Sequence, residues 1–259
     1  MLVSTETLHL EYLDGKTISV ITLDDPAHAN AMSPEMGDAF SRAVRDVQNE
    51  ADVRAVVIRG AGKDFSIGGH RDMLIRLGSG SMTEGQLHDF MLAFYDRWLP
   101  MLDLAVPVIS ALQGDCIGVA PVFACAPDIA VADETLNLQV TFAGLALYPG
   151  MGLPWLQVGR KPRSAAHDVQ SRCLGPGSRA PRTGGAVCSS RTAFDEALRV
   201  AGDIAASGPE TVRLLKKNLG LQRGELQAEL EGNASQQARD FRTAEYRARI
   251  AHYLPNHYD

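Results

Sequence analysis

Two glycine-bearing segments hold the residues best suited to chemistry: Asp64-Phe65-Ser66-Ile67-Gly68-Gly69-His70 and Gln113-Gly114-Asp115-Cys116-Ile117-Gly118-Val119-Ala120. Each follows an apolar β-like run, residues 55–59 and 106–112, and each leads into a predicted helix. Glycine alone marks only a tight turn. A strand-to-helix turn also presents backbone N–H groups without helical partners, and these favour negative charge. Two such turns facing each other could hold one developing oxyanion, which is what the enolate of a thioester requires. His70 and Arg71 stand just after the first turn. Histidine titrates in the physiological range and arginine keeps its charge, so both are candidates for contacting a substrate carboxylate or for protonation. Asp115 is either a base or a turn residue bonding its own backbone.

The elements that must position these turns follow from local pattern. Residues 8–13 and 17–23 read as a hairpin around Asp14-Gly15. Ser33-Pro34-Glu35 starts a helix, with Ser33 as cap and Pro34 at the first helical position. Residues 53–58 and 106–112 are buried strands feeding the two turns, and 129–132 and 136–140 are further short strands. Residues 71–77 form a helix, and 84–104 a long amphipathic one, kinked at Pro100. His88 and Tyr95 share a face of the long helix, which looks either into the pocket or into a packing or subunit contact, with packing favoured. The tail is helical over 193–207, 209–219 and 225–252. Strands alternating with helices give the α/β class.

The chain has 259 residues, 45% apolar and 22% charged, with a formal net charge of -6. This is the composition of a soluble globular protein. It offers no electrostatic footprint for nucleic acid or an anionic membrane. Residues 1–16 lack the basic start and apolar core of a signal peptide. The apolar run 116–132 holds Pro121, Pro127 and Asp128, which exclude a membrane span. Cys116, Cys125, Cys173 and Cys188 have no metal-like spacing, so no metal site is expected and the thiols read as reduced, in a cytoplasmic protein. Residues 161–190 fit neither helical nor strand periodicity. They read as a long surface excursion, a disordered segment or a local reading-frame shift, and no role is given to any residue there, His167 included.

These residues resemble the enoyl-CoA hydratase/isomerase (crotonase) superfamily. The resemblance runs through Asn30-Ala31-Met32-Ser33, residues 64–69, 107–120, 128–132 and Leu147-Tyr148-Pro149-Gly150-Met151-Gly152. It implies a crotonase-like spiral of ββα repeats over residues 1–190 and a C-terminal helical trimerisation region over 191–259, assembled as a homotrimer or hexamer. It implies an acyl thioester on CoA or on the phosphopantetheine arm of an acyl carrier protein, and no further cofactor. It also implies an oxyanion hole made by the N–H groups of Ile67 and Val119. Ala29, Ser66, Gly68, Gly69, Gly118, Phe142 and Tyr148 are then the expected substrate-binding residues. Within the superfamily, Phe65 to Gly69 with Asp72-Met73-Leu74-Ile75-Arg76 and the Tyr148-Pro149-Gly150 turn are similar to polyketide-cassette members that decarboxylate 3-methylglutaconyl thioesters in β-branching.

Two departures bear on the reaction. Hydratases of this family carry two glutamates, and Val122 and Phe142 stand at those positions. Without a carboxylate to activate water, simple hydration is not expected. Where the decarboxylases can carry a lysine and a tail-helix histidine, this chain has Arg71 and Gln237. The expected activity is decarboxylation of a 3-methylglutaconyl-type thioester. An isomerase moving a double bond between α,β and β,γ positions, with His70 or Asp115 as base, stays open. So does a catalytically silent member that binds acyl thioesters.

Overall fold

The computed structural model describes residues 5–152, 186–188, 192–219, 221 and 223–257. Strands β1 (Leu8–Leu13) and β2 (Ile18–Leu23) form the expected hairpin. Its turn is a short 3-10 segment, Asp14–Lys16, with Gly15 at a φ of 64°. From β2 the sheet grows in parallel through β3 (Ala55–Gly60), β4 (Val108–Leu112), β6 (Ile129–Asp133) and β8 (Ala186–Cys188). A second parallel pair, β5 (Asp115–Ile117) with β7 (Asn137–Gln139), lies outside this sheet. Two isolated parallel bridges, Met32 with Gly69 and Ser66 with Cys116, extend the same ladder. Each turn of chain thus adds one strand to the main sheet and one rung to the smaller ladder, which is a ββα spiral.

Local chemistry sets the helix starts. In α1 (Pro34–Asn49) the Ser33 hydroxyl accepts from Met36 N at 3.1 Å. In α3 (Glu84–Trp98) Thr83 and Gln86 form a capping box. Helix α2 (Arg71–Gly78) is capped by the His70 side chain. The expected kink at Pro100 is instead a helix end: α3 stops at Trp98 and Leu99–Asp103 continues as a 3-10 segment, because proline supplies no N–H to the ladder. Helix α4 (Val122–Cys125) is a single turn.

The C-terminal helices are α5 (Ala193–Ala205), α6 (Pro209–Leu219), α7 (Gln227–Asp240) and α8 (Ala244–His257). The single helix expected over 225–252 is broken between Asp240 and Ala244. There Thr243 recaps the chain by accepting from Tyr246 N at 3.0 Å. Small side chains at four-residue spacing, Ala193, Ala197 and Ala201, let α5 lie close on one face of the main sheet, against Val20, Val57 and Ile109. The other face meets the larger core, to which α7, the Phe241 that caps it and α8 add Leu230, Ala234, Phe241 and Tyr246. Of the irregular stretch 161–190, only Ala186–Cys188 falls within the described residues. No helix among the described residues is long and apolar enough to cross a membrane.

Candidate active site

Asn30 organises the first glycine turn. It is fully buried and has a positive φ of 53°, a conformation asparagine tolerates better than most residues. Its amide nitrogen donates to Ala61 O and Asp64 O, both at 2.9 Å, and its amide oxygen accepts from Asp25 N at 2.8 Å. Ser66, also buried, donates to Asn30 O at 2.7 Å and accepts from Gly68 N at 3.1 Å. The turn is therefore fixed from beneath by two polar side chains with satisfied partners.

The second turn docks alongside in parallel register. Ser66 N donates to Asp115 O at 3.0 Å and Ile117 N donates to Ser66 O at 2.9 Å. Gly68, at a φ of 87°, carries the closest approach. A β-carbon there would lie 2.6 Å from Ile117 O and 3.2 Å from Val119 N. Ile67 and Val119 are thus brought side by side on one cavity wall, together with Gly69 and Gly118. The expectation that the donors stand at helix N-termini is corrected here. Ile67 precedes the cap of α2 by three residues, and α4 is only one turn long, so the ladder rather than a helix dipole orients these amides. The Ile67 N–H points at Ala29 O, 3.1 Å away. The Val119 N–H makes no hydrogen bond among the described residues.

The cavity is open to solvent at its mouth, and the space of about 590 Å³ there includes that solvent. Phe142, Met73, Met91 and Phe94 give it an apolar wall. Among the described residues, none that lines it is Asp, Glu, His, Lys or Arg. Its polar side chains are Tyr95, Gln237, Thr141 and Tyr253. The Tyr95 hydroxyl donates to Gln237 Oε1 at 2.6 Å, and Gln237 Nε2 donates to Tyr148 O at 2.8 Å. The Tyr95 oxygen also accepts from the Met151 backbone. Gly150 is needed beside this pair, since a β-carbon there would meet both Tyr95 Oη and Gln237 Nε2 at 2.7 Å. Helices α3 and α7 thereby clamp the Pro149-Gly150 turn.

Burial pushes the Tyr95 phenol well above its ordinary value of 10.0. Below that pH the folded and unfolded chains are both protonated at this group. Above it the unfolded chain loses the proton while the folded chain keeps it, so stability falls as pH rises. Tyr95→Phe is expected to cost about 1–3 kcal/mol near neutral pH, because Gln237 Oε1 and Met151 N–H lose their partner. It should also flatten the alkaline loss, as denaturant unfolding at about pH 8 and about pH 11 would show. Equal alkaline slopes in both proteins would contradict this assignment.

A profile of the enoyl-CoA hydratase/isomerase family matches residues 14–256. The chain belongs to that family. This enoyl-CoA hydratase/isomerase family member is 30% identical over 246 residues to the probable enoyl-CoA hydratase EchA14 of Mycobacterium tuberculosis, covering 91% of this chain and 93% of EchA14. It is 26% identical over 151 residues to the bacillaene synthase decarboxylase PksI of Bacillus subtilis, covering 58% of this chain and 57% of PksI. Its fold matches the crystal structure of an enoyl-CoA hydratase/isomerase from Mycobacterium paratuberculosis with a TM-score of 0.81, at 21% identity over 96% of this chain and 98% of the other. The expected crotonase fold is thereby shown.

In this family member, the residues expected at the site fall into three groups. Ile67, Val119, Gly69, Gly118 and Phe142 line the cavity. Ala29, Ser66 and Gly68 do not line it and instead tie the turn, through Ile67 N donating to Ala29 O, Ser66 Oγ to Asn30 O and Gly68 N to Ser66 Oγ. His70, Arg71 and Tyr148 do not line it. His70 Nδ1 turns back to accept from Asp72 N at 3.3 Å, as a cap does, with its ring 5.7 Å from that of His28. Arg71 is exposed, because α2 buries its Met73–Leu77 face instead. Tyr148 is 41% exposed and contributes its backbone, with its N–H donating to Asp240 at 2.8 Å. Asp115 is engaged by Asn137 Nδ2 at 2.8 Å. His88 faces Glu231 on α7 rather than the cavity. Val122 is fully buried in the core. Cys116 and Cys125 are not joined in a disulfide, and no cluster of metal-ligating side chains is found among the described residues. Thr141 and Tyr253 were given no role from sequence. Only their position against the turns marks them.

Proposed function

We propose that this protein decarboxylates a 3-methylglutaconyl-type thioester, carried on CoA or on the phosphopantetheine arm of an acyl carrier protein. The observation that carries the reading is a cavity with Ile67 and Val119 on its wall and, among the described residues, no Asp, Glu, His, Lys or Arg lining it to deprotonate the substrate or activate water. Hydration needs a carboxylate beside the double bond, and a double-bond shift needs a base on the substrate carbon. Decarboxylation needs neither. The substrate's own carboxyl supplies the electrons: its bond to the γ carbon breaks, the pair moves through the double bond, and the charge arrives on the thioester oxygen.

Two N–H donors placed at that oxygen would lower the barrier, each being worth about 3–4 kcal/mol in comparable sites. Val119 N–H is available, while Ile67 N–H would exchange or share its Ala29 acceptor. The apolar wall with Phe142 disfavours a charged carboxylate relative to the delocalised product. That PksI is named a decarboxylase supports the reading, whereas EchA14 bears a hydratase name. Mass spectrometry of carrier protein loaded with 3-methylglutaconyl, with and without this protein, tests it. Loss of carbon dioxide from the acyl group is the expected result, and an unchanged mass in the presence of folded protein would overturn the proposal.

A further inference from the structure

A dienolate, once formed, must take up one proton, and the cavity carries few groups that can give one. Tyr95 is committed, with its proton on Gln237 Oε1 and its oxygen accepting from Met151. Thr141 immediately precedes the 3-10 segment Phe142–Leu145, and Tyr253 stands on α8. Their hydroxyl oxygens are 3.3 Å apart. A β-carbon on Gly118 would be 3.7 Å from Thr141 Oγ1, so this hydroxyl lies beside the residue that precedes the Val119 donor. Tyr253 is only half-buried and thus connects the cavity to solvent.

We propose that the Thr141–Tyr253 hydroxyl pair delivers the proton to the dienolate, and delivers it at the α carbon. The inference rests on the decarboxylation reading. The α carbon is two bonds from the thioester oxygen and the γ carbon four, so a donor at the oxyanion turn reaches the α position first. The Thr141 hydroxyl proton forms the new C–H bond, the Tyr253 hydroxyl proton replaces it on Oγ1, and solvent restores Tyr253. One proton is consumed for each carbon dioxide released, and the double bond is left between the β and γ carbons.

The test is turnover of 3-methylglutaconyl-pantetheine thioester in D2O by the wild type, Tyr253→Phe, Thr141→Val and Thr141→Ser, each checked for folding by thermal melting. The wild-type product is expected to carry deuterium at the α carbon and a β,γ double bond. Tyr253→Phe and Thr141→Val should lower kcat by about 100-fold with little change in KM, and Thr141→Ser should retain activity. Deuterium at the γ carbon of the wild-type product, or wild-type kcat in both Tyr253→Phe and Thr141→Val, would overturn the relay. Carbon dioxide release with unaffected variants removes the relay alone. A wild type that releases none removes the decarboxylation reading and the relay with it.

Discussion

Gly68→Ala is expected to lower the proposed decarboxylation by about 100- to 1,000-fold. The added methyl would stand 2.6 Å from Ile117 O and 3.2 Å from Val119 N, between the two turns that carry the donors. The backbone is at a φ of 87°, where any side chain is strained. The strain itself costs about 1–3 kcal/mol. The larger loss is geometric, because relief of the clash must move one turn away from the other. Gly68 N also holds Ser66 Oγ at 3.1 Å, and Gly68 O accepts from Met32 N at 2.6 Å, so the turn is tied on both sides. Steady-state turnover beside a thermal melt separates the effects. A folded variant within about twofold of wild-type kcat/KM would show that the spacing of these turns does not matter.

The largest loss of stability is expected from Phe123→Ala, at about 3–5 kcal/mol. Phe123 on α4 is fully buried. Its ring is 5.5 Å from Phe65, 5.8 Å from Phe40 and 6.0 Å from Trp98, with edge-on geometry to the last two. Phe65 belongs to the first glycine turn and Phe123 follows the second, so one ring pair joins the two turns behind the donors. Truncation should leave a cavity there and weaken catalysis along with stability. Denaturant unfolding with a shift below about 1 kcal/mol would mean that the surrounding rings collapse into the space.

What could be read from sequence was what is local. The glycine turns, the Ser33-Pro34 start and the hairpin depend on residues a few positions apart. The break between α7 and α8 left a local trace, since Thr243 is a cap residue three positions before Tyr246. The apolar step from Phe241 to Tyr246 is five residues, so the helical stripe also slips at the break. His70 illustrates the opposite case: a histidine after a glycine turn has the chemistry for catalysis, but here its Nδ1 accepts from Asp72 N as a cap and the residue does not line the cavity. Of the cavity's polar groups, sequence marked Gln237 through the family resemblance and left Tyr95 between pocket and packing, while Thr141 and Tyr253 were not legible. Tyr95 meets Gln237 across 142 residues and Thr141 meets Tyr253 across 112. Such pairs exist only once α3, α7 and α8 are packed, and no spacing in the chain announces them.

In the proposed reaction this protein makes an enolate by releasing carbon dioxide and not by removing a proton. This is tested most directly by partial turnover of 3-methylglutaconyl thioester in D2O, with mass analysis of both the recovered substrate and the product. The account predicts recovered substrate free of deuterium and a decarboxylated product containing it. Deuterium in the recovered substrate, with the carboxyl group still attached, would contradict the account and reveal a base that makes this an isomerase.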